Sequence, residues 1–211
     1  MGSRAGWPSH FGWPLLRADT PHDIMSIMRY PDGHKDEVRA RIVQATSHAL
    51  RRHGIAGVSI PALMKRAGLT HGGFYSHFRD RDELVAEAIR AGAAQTAEQI
   101  FGDEESLASL LDSYLSREHV DHPAAGCVLA ALGADGARQP TRVRRAFSDA
   151  TNGMLRLLEK KLHPRRPKPQ ISDDTLARAS MMVGAVVLAR LAADASLGDR
   201  ILAAAQRHSL Q

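Results

Sequence analysis

Residues 58–84 read VSIPALMKRAGLTHGGFYSHFRDRDEL, and this stretch decides the fold. The apolar positions Val58, Ile60, Leu63, Met64, Leu69, Phe74 and Phe78 fall at spacings that let two short helices and a following one close a small core. Between them stand small or hydrogen-bonding residues: Thr70, His71, Gly72, Gly73, Tyr75, Ser76 and His77. A helix that lies in the DNA major groove needs one face that holds it on its domain. Its other face must offer polar contacts and let the backbone come close. The stretch therefore points to a helix-turn-helix that reads DNA.

Working outward, the pattern is helical throughout. Val38, Ile42, Ala45, Ala49 and Leu50 recur at helical spacing over 34–53, with Arg39, Arg41, Arg51 and Arg52 off that stripe. Gly54 ends this first helix. Ser59 is placed to cap the second, and Pro61 falls in its first turn, where a missing N–H is harmless. Ala67-Gly68-Leu69 makes the turn, and the third helix is expected over 70–78. Asp80 and Glu83 form a D-x-x-E capping box that starts a fourth helix running toward Ile100. Further helices are expected at about 104–118, 123–138, 140–163, 172–194 and 197–208, separated by Gly102, His122-Pro123, Gln139-Pro140 and the run Pro164 to Pro169. No strand pattern appears, so the fold class is all-α. The organisation predicted is a DNA-binding domain at 34–80 and a helical effector-binding and dimerisation domain at 81–211. Residues 1–33 read as a disordered tail or as sequence upstream of a start at Met25 or Met28.

Composition sets bounds. Of 211 residues 44% are hydrophobic and 24% charged, enough apolar material for one sizeable helical core or two smaller ones. The net charge is +5. Residues 34–90 carry +4 of it and residues 91–211 carry +1, so the excess lies where phosphates would be neutralised. Charge alone fits a solvated basic face better and only corroborates the motif. One cysteine, Cys127, excludes an internal disulfide and suits a reducing cytoplasm. No apolar run approaches the roughly 20 residues of a membrane span.

The G-L-T-x-G-x-F-Y-x-H-F core at 68–78, with the first-helix pattern and the RDRDEL junction, resembles the TetR/AcrR family of bacterial transcriptional regulators over roughly 34–90. HPAAGCVLAALGADGAR, residues 122–138, is more loosely similar to the LmrA/YxaF-like subgroup. The resemblance implies a homodimer whose last two long helices form the interface, with Met181, Gly184, Ala185, Leu188 and Leu191 as candidates there. The alternative for those residues is an internal core helix. It implies a palindromic double-stranded DNA operator as partner, released by a small apolar or amphipathic effector, with no membrane and no cofactor. Thr70, His71, Gly72 and Gly73 then lie at the groove end, His71 being the candidate base contact. Tyr75 and His77 match the family's phosphate grips, with Ser59, Lys65, Ser76, Arg79 and Arg81 in support.

Candidate pocket residues are Tyr114, Cys127, Leu132, Phe147, Met154 and Met182, all of which core packing would explain as well. Cys127 also admits a thiol-based redox or electrophile-sensing role, against which its apolar flanks Gly126, Val128, Leu129 and Ala130 favour an inert buried thiol. His119-Val120-Asp121-His122 has the look of a metal site but lacks a third ligand cluster, so solvated loop side chains are the reading. The basic runs at 142–145 and 160–168 read as solvated surface. A sequence-blind DNA protein would need more charge. No nucleophile–base pair, phosphate loop or metal-ligand spacing supports an enzyme.

Overall fold

A computed structural model describes residues 34–68, 70–102, 106–165 and 170–210; the tail at 1–33, Leu69 and residues 166–169 of the basic run lie outside these. The described residues form nine α-helices and one 3-10 segment: α1 (His34–His53), α2 (Ile60–Arg66), the 3-10 segment His71–Ser76, α3 (Arg81–Ile100), α4 (Leu107–Tyr114), α5 (Arg117–Asp121), α6 (Val128–Gly136), α7 (Thr141–Leu162), α8 (Asp173–Leu191) and α9 (Ala195–Ser209). Among them no helix is long and apolar enough to cross a membrane.

Local chemistry sets most boundaries. α1 stops where Gly54 takes φ 75 and its N–H bonds to the Leu50 carbonyl. Ser59 caps α2, its hydroxyl accepting from the Ala62 N–H, with Pro61 in the first turn. Asp80 caps α3 by accepting from the Glu83 N–H at 2.7 Å. The reciprocal half of the box is displaced by one residue: the Glu83 carboxylate accepts from the Arg79 N–H, not from Asp80. The helix expected at about 104–118 is two short ones, because Leu115 leaves helical geometry and Ser116 caps a new start with the His119 N–H. The helix expected from 123 begins at Val128, after turns spanning Pro123 to Gly126.

Two apolar clusters organise the chain. The first joins α1, α2, the 3-10 segment and the start of α3 to α6 and the front of α7, from Val38 to Ala150. The second joins α4, α5, the rear of α7, α8 and α9, with Tyr114, Leu158 and Met182 fully buried in it. Leu129 packs against both. Buried Glu159 of α7 ties down the start of α8: its carboxylate accepts from the Ser172 N–H at 3.0 Å, the Ser172 hydroxyl at 2.8 Å and the Thr175 hydroxyl at 2.6 Å. The Thr175 hydroxyl first, then Ser172, hold its pKa down to about 2.

Candidate nucleic-acid interface and ligand pocket

The reading segment is built from a turn and a cap. Gly68 takes φ 72, a conformation that strains other residues. Thr70 then caps the 3-10 segment, its hydroxyl accepting from the Gly73 N–H at 3.3 Å. The segment is six residues of 3-10 helix where a longer α-helix was expected. Adjacent Gly72 and Gly73 weaken α geometry by about 1 kcal/mol each relative to alanine, and so short a run has few α bonds to recover.

Phe74, with no exposed surface, stacks on Phe78 at 5.6 Å and meets the Tyr75 ring edge-on at 5.1 Å. That packing turns Tyr75 outward, 64% exposed. Ser59, Lys65, Thr70, Gly72, Ser76 and Arg79 are exposed too; Gly73 and His77 are half-buried. The His71 side chain lies outside the described ones. Burial, then Lys35 and Arg39, push the His77 imidazole below its usual pKa, favouring a neutral ring. Arg81 is turned partly inward, one guanidinium nitrogen donating to the carbonyls of Ile55 and Val58 and so tying down the loop before α2.

Arg39, read from the sequence only as lying off the apolar stripe, is a clamp. Its Nε donates to the His77 carbonyl at 3.2 Å, its guanidinium sits 4.6 Å over the Phe78 ring, and it pairs with Glu87 and Glu83 of α3. The reading segment is thereby fixed to both α1 and α3.

A pocket of about 260 Å³ lies between α3, α6 and α7. α3 contributes Arg90, Ala93, Ala94, Thr96 and Ala97; Phe101 closes one end. Cys127, Val128 and Leu129 form the α6 side, and Asp149, Ala150, Gly153, Met154 and Leu157 the α7 side. Of the residues proposed from sequence, Cys127 and Met154 line it. Tyr114, Leu132 and Met182 are buried in the two cores, and Phe147 lines a separate cleft of about 210 Å³. The signal in the sequence was the small residues: Ala93, Ala94 and Ala97 face Ala150 and Gly153 across two packed helices and leave room between them.

Behind Cys127 the wall is held by two arginines and a histidine. Arg51 of α1, 3% exposed, donates to the Gly126 carbonyl at 2.7 Å, to Gln95 Oε1 at 2.8 Å and to the Ser47 carbonyl at 3.3 Å. Among the described residues no carboxylate pairs with it, and burial lowers its pKa. Arg190 of α8 donates to the Val120 and His119 carbonyls at 3.1 and 2.6 Å. His119 Nε2 accepts from the Cys127 N–H at 2.9 Å, so its proton is on Nδ1, which donates to the Tyr114 carbonyl at 2.7 Å. Both ring nitrogens of His119 are thus spent on the fold, while His122 is exposed with its Nδ1 beside the Glu118 carboxylate.

Burial, reinforced by Arg190, lowers the His119 pKa against the opposing Tyr114 bond. A depressed histidine contributes stability that is present above the unfolded value of about 6.5 and is lost as pH falls through the folded one. Urea midpoints are expected to fall between pH 7 and pH 5, and His119→Gln to flatten part of that slope. His48 and His77, also depressed, supply the remainder. An unchanged slope in the variant defeats the assignment.

On the α8–α9 side Leu188 and Leu191 are 56% and 76% exposed, and Met181 and Gly184 are half-buried on the same helix. Ala185, the fifth residue proposed for an interface, is only 6% exposed and packs in the second core of the protomer.

Known proteins share the helical fold. The family model of the bacterial regulatory proteins of the tetR family matches residues 42–88. Among solved structures, the reduced form of Escherichia coli NemR superposes with TM-score 0.67 at 18% identity, covering 82% of this chain and 95% of that one. A TetR transcriptional regulator from Chloroflexus aurantiacus gives 0.62 at 22% identity, over 84% and 96%. A transcriptional regulator from Streptomyces coelicolor gives 0.60 at 22%, over 83% and 99%. No curated protein matches the chain significantly.

Proposed function

We propose that this chain, whose residues 42–88 belong to the tetR family of bacterial regulatory proteins, is a cytoplasmic homodimeric repressor released from a palindromic operator by a small molecule. Residues 34–80 read the DNA, and residues 81–211 bind the effector and the second subunit. One observation carries the reading: the pocket and the reading segment share their supports. α3 begins at the cap behind the reading segment and lines the pocket, while Arg51 of α1 bonds to Gly126, next to pocket-lining Cys127. A ligand that alters the pocket walls binds the two arrangements of the reading segments with different affinity, and that difference releases the operator.

In the dimer the two reading segments occupy successive major grooves about 34 Å apart. Thr70, His71, Gly72 and Gly73 approach base edges. Tyr75, His77, Ser59, Lys65, Ser76 and Arg79 hold phosphates and set register. Selection from a random DNA pool at near-physiological salt is expected to return a palindrome; recovery of no motif opposes the proposal. Tyr75→Ala is expected to weaken that site by about tenfold or more, the worth of a hydrogen bond to a charged group, with the mass of the assembly unchanged. Parental affinity would remove the segment from the interface.

A second reading, a thiol-sensing repressor, draws on the position of Cys127, whose side chain lines the pocket beside Tyr114. Iodoacetamide treatment of native protein tests it: an unlabelled thiol with operator binding retained excludes it.

A further inference from the structure

We propose that the pocket between α3, α6 and α7 selects a neutral, apolar molecule of about two fused rings and rejects the same skeleton carrying a charge. This rests on the reading of that pocket as the effector site and adds the chemistry of its occupant.

Size gives the first bound. Apolar cavities of about 150 Å³ hold one benzene ring. At about 260 Å³ this pocket holds a bicyclic molecule, and anything longer emerges past Arg90 and Asp149 at its exposed end. The room comes from the missing side chains of Ala93, Ala97 and Gly153, while Phe101 and Met154 offer an aromatic face and a thioether, both good partners for a flat ring.

The polar inventory gives the second. Arg90 and Asp149 are the charged residues lining the pocket, and they neutralise each other at 2.9 Å at its exposed end. The Thr96 hydroxyl proton is already donated to the Gly92 carbonyl at 2.9 Å. A carboxylate carried inward would find the Arg51 and Arg190 guanidiniums behind the Cys127 wall already donating to the Gly126, Val120 and His119 carbonyls, an ammonium would find no carboxylate inside, and the lost hydration of either would go unrepaid. A neutral ring loses nothing of the kind and gains from leaving water.

Gly153 supplies a direct test, because a Cβ built there meets nothing within 4 Å. Gly153→Leu can extend into the pocket without displacing backbone, and the exchange favours the helix. Naphthalene, 2-naphthoate and 2-naphthylmethylammonium are titrated calorimetrically into the full-length protein and into Gly153→Leu, with thermal melts as the control for folding. Naphthalene is expected to bind the parent, each charged analogue about tenfold or more weakly. Gly153→Leu is expected to lose naphthalene binding with its melting temperature at or above the parent's. The proposal is overturned if a charged analogue binds within tenfold of naphthalene, if no probe binds, or if a folded Gly153→Leu retains naphthalene. Operator release is read separately. Naphthalene that binds without releasing DNA leaves the ligand class standing and defeats the effector reading.

Discussion

The double substitution Leu188→Asp/Leu191→Asp is expected to turn a dimer into monomers and to abolish operator binding at concentrations where the parent saturates it. Met181, Gly184, Leu188 and Leu191 recur every three or four residues along α8 and form one stripe. The two leucines expose most of their surface in the protomer, as does much of Leu197 on neighbouring α9. Burying a leucine side chain is worth about 1.5–3 kcal/mol. A two-fold interface counts each residue twice and the leucines are already partly covered, so the change removes roughly 4–8 kcal/mol and adds four carboxylates to be stripped of water. A weakening of self-association by about 10³-fold or more follows. A monomer holds one half-site and forgoes the linkage between two, a loss of about 10²-fold or more in operator affinity. Light scattering settles the matter. A variant with the parental mass would move the interface away from this stripe, and one that has lost helical signal would be set aside for Leu188→Asp alone.

Phe74→Ala is expected to do the opposite, removing DNA binding while the assembly keeps its mass. Phe74 is fully buried, stacked on Phe78 and set against Tyr75. Truncating such a ring costs about 3–5 kcal/mol, a large part of the 5–15 kcal/mol that holds a domain of this kind together. For a chain of this length, unfolding as one unit, that is a fall of about 6–20 °C in Tm. The cost falls on the 3-10 segment, which has few backbone bonds of its own and depends on that ring for its position. Binding to a selected operator, together with the scattering mass, provides the check. Parental affinity would mean that Tyr75 is aimed by something other than the ring beneath it.

What could be read in advance follows from the range of the interactions involved. The end of α1 and the starts of α2 and α3 depend on Gly54, Ser59 and Asp80, which act on backbone within three or four residues, and those are legible in a sequence. The outer half of the Asp80 box shifted because Glu83 found the Arg79 N–H and side chain together, a choice between neighbours that spacing does not make. The break at Ser116 was hidden by an apolar pattern that continues across it. Arg39, Arg51 and Arg190 were the least legible. An arginine off the apolar stripe reads as solvent-facing, yet each is held by groups 38 or more positions away in the chain. The pocket candidates ran to large residues for a related reason: Tyr114, Leu132 and Met182 fill space in the cores, the alternative their spacing left open, whereas the room between α3, α6 and α7 is left by the alanines and Gly153.

Several glycines share a property that no single surface explains. At Gly72, Gly153 and Gly184, as at Gly133 in α6, an added methyl would touch nothing within 4 Å in the protomer. None is required by the fold for clearance, and against alanine each forgoes about 1 kcal/mol of helix stability. Of the first three, one stands at the reading segment, one in the pocket wall and one on the stripe of α8. Gly72, Gly153 and Gly184 together leave the lone protomer roughly 3 kcal/mol below the stability its backbone would permit, at the three places where DNA, a ligand and a second subunit are expected to arrive. An alanine scan of the isolated chain would score all three as improvements, and selecting for heat resistance alone would erode the three contacts together.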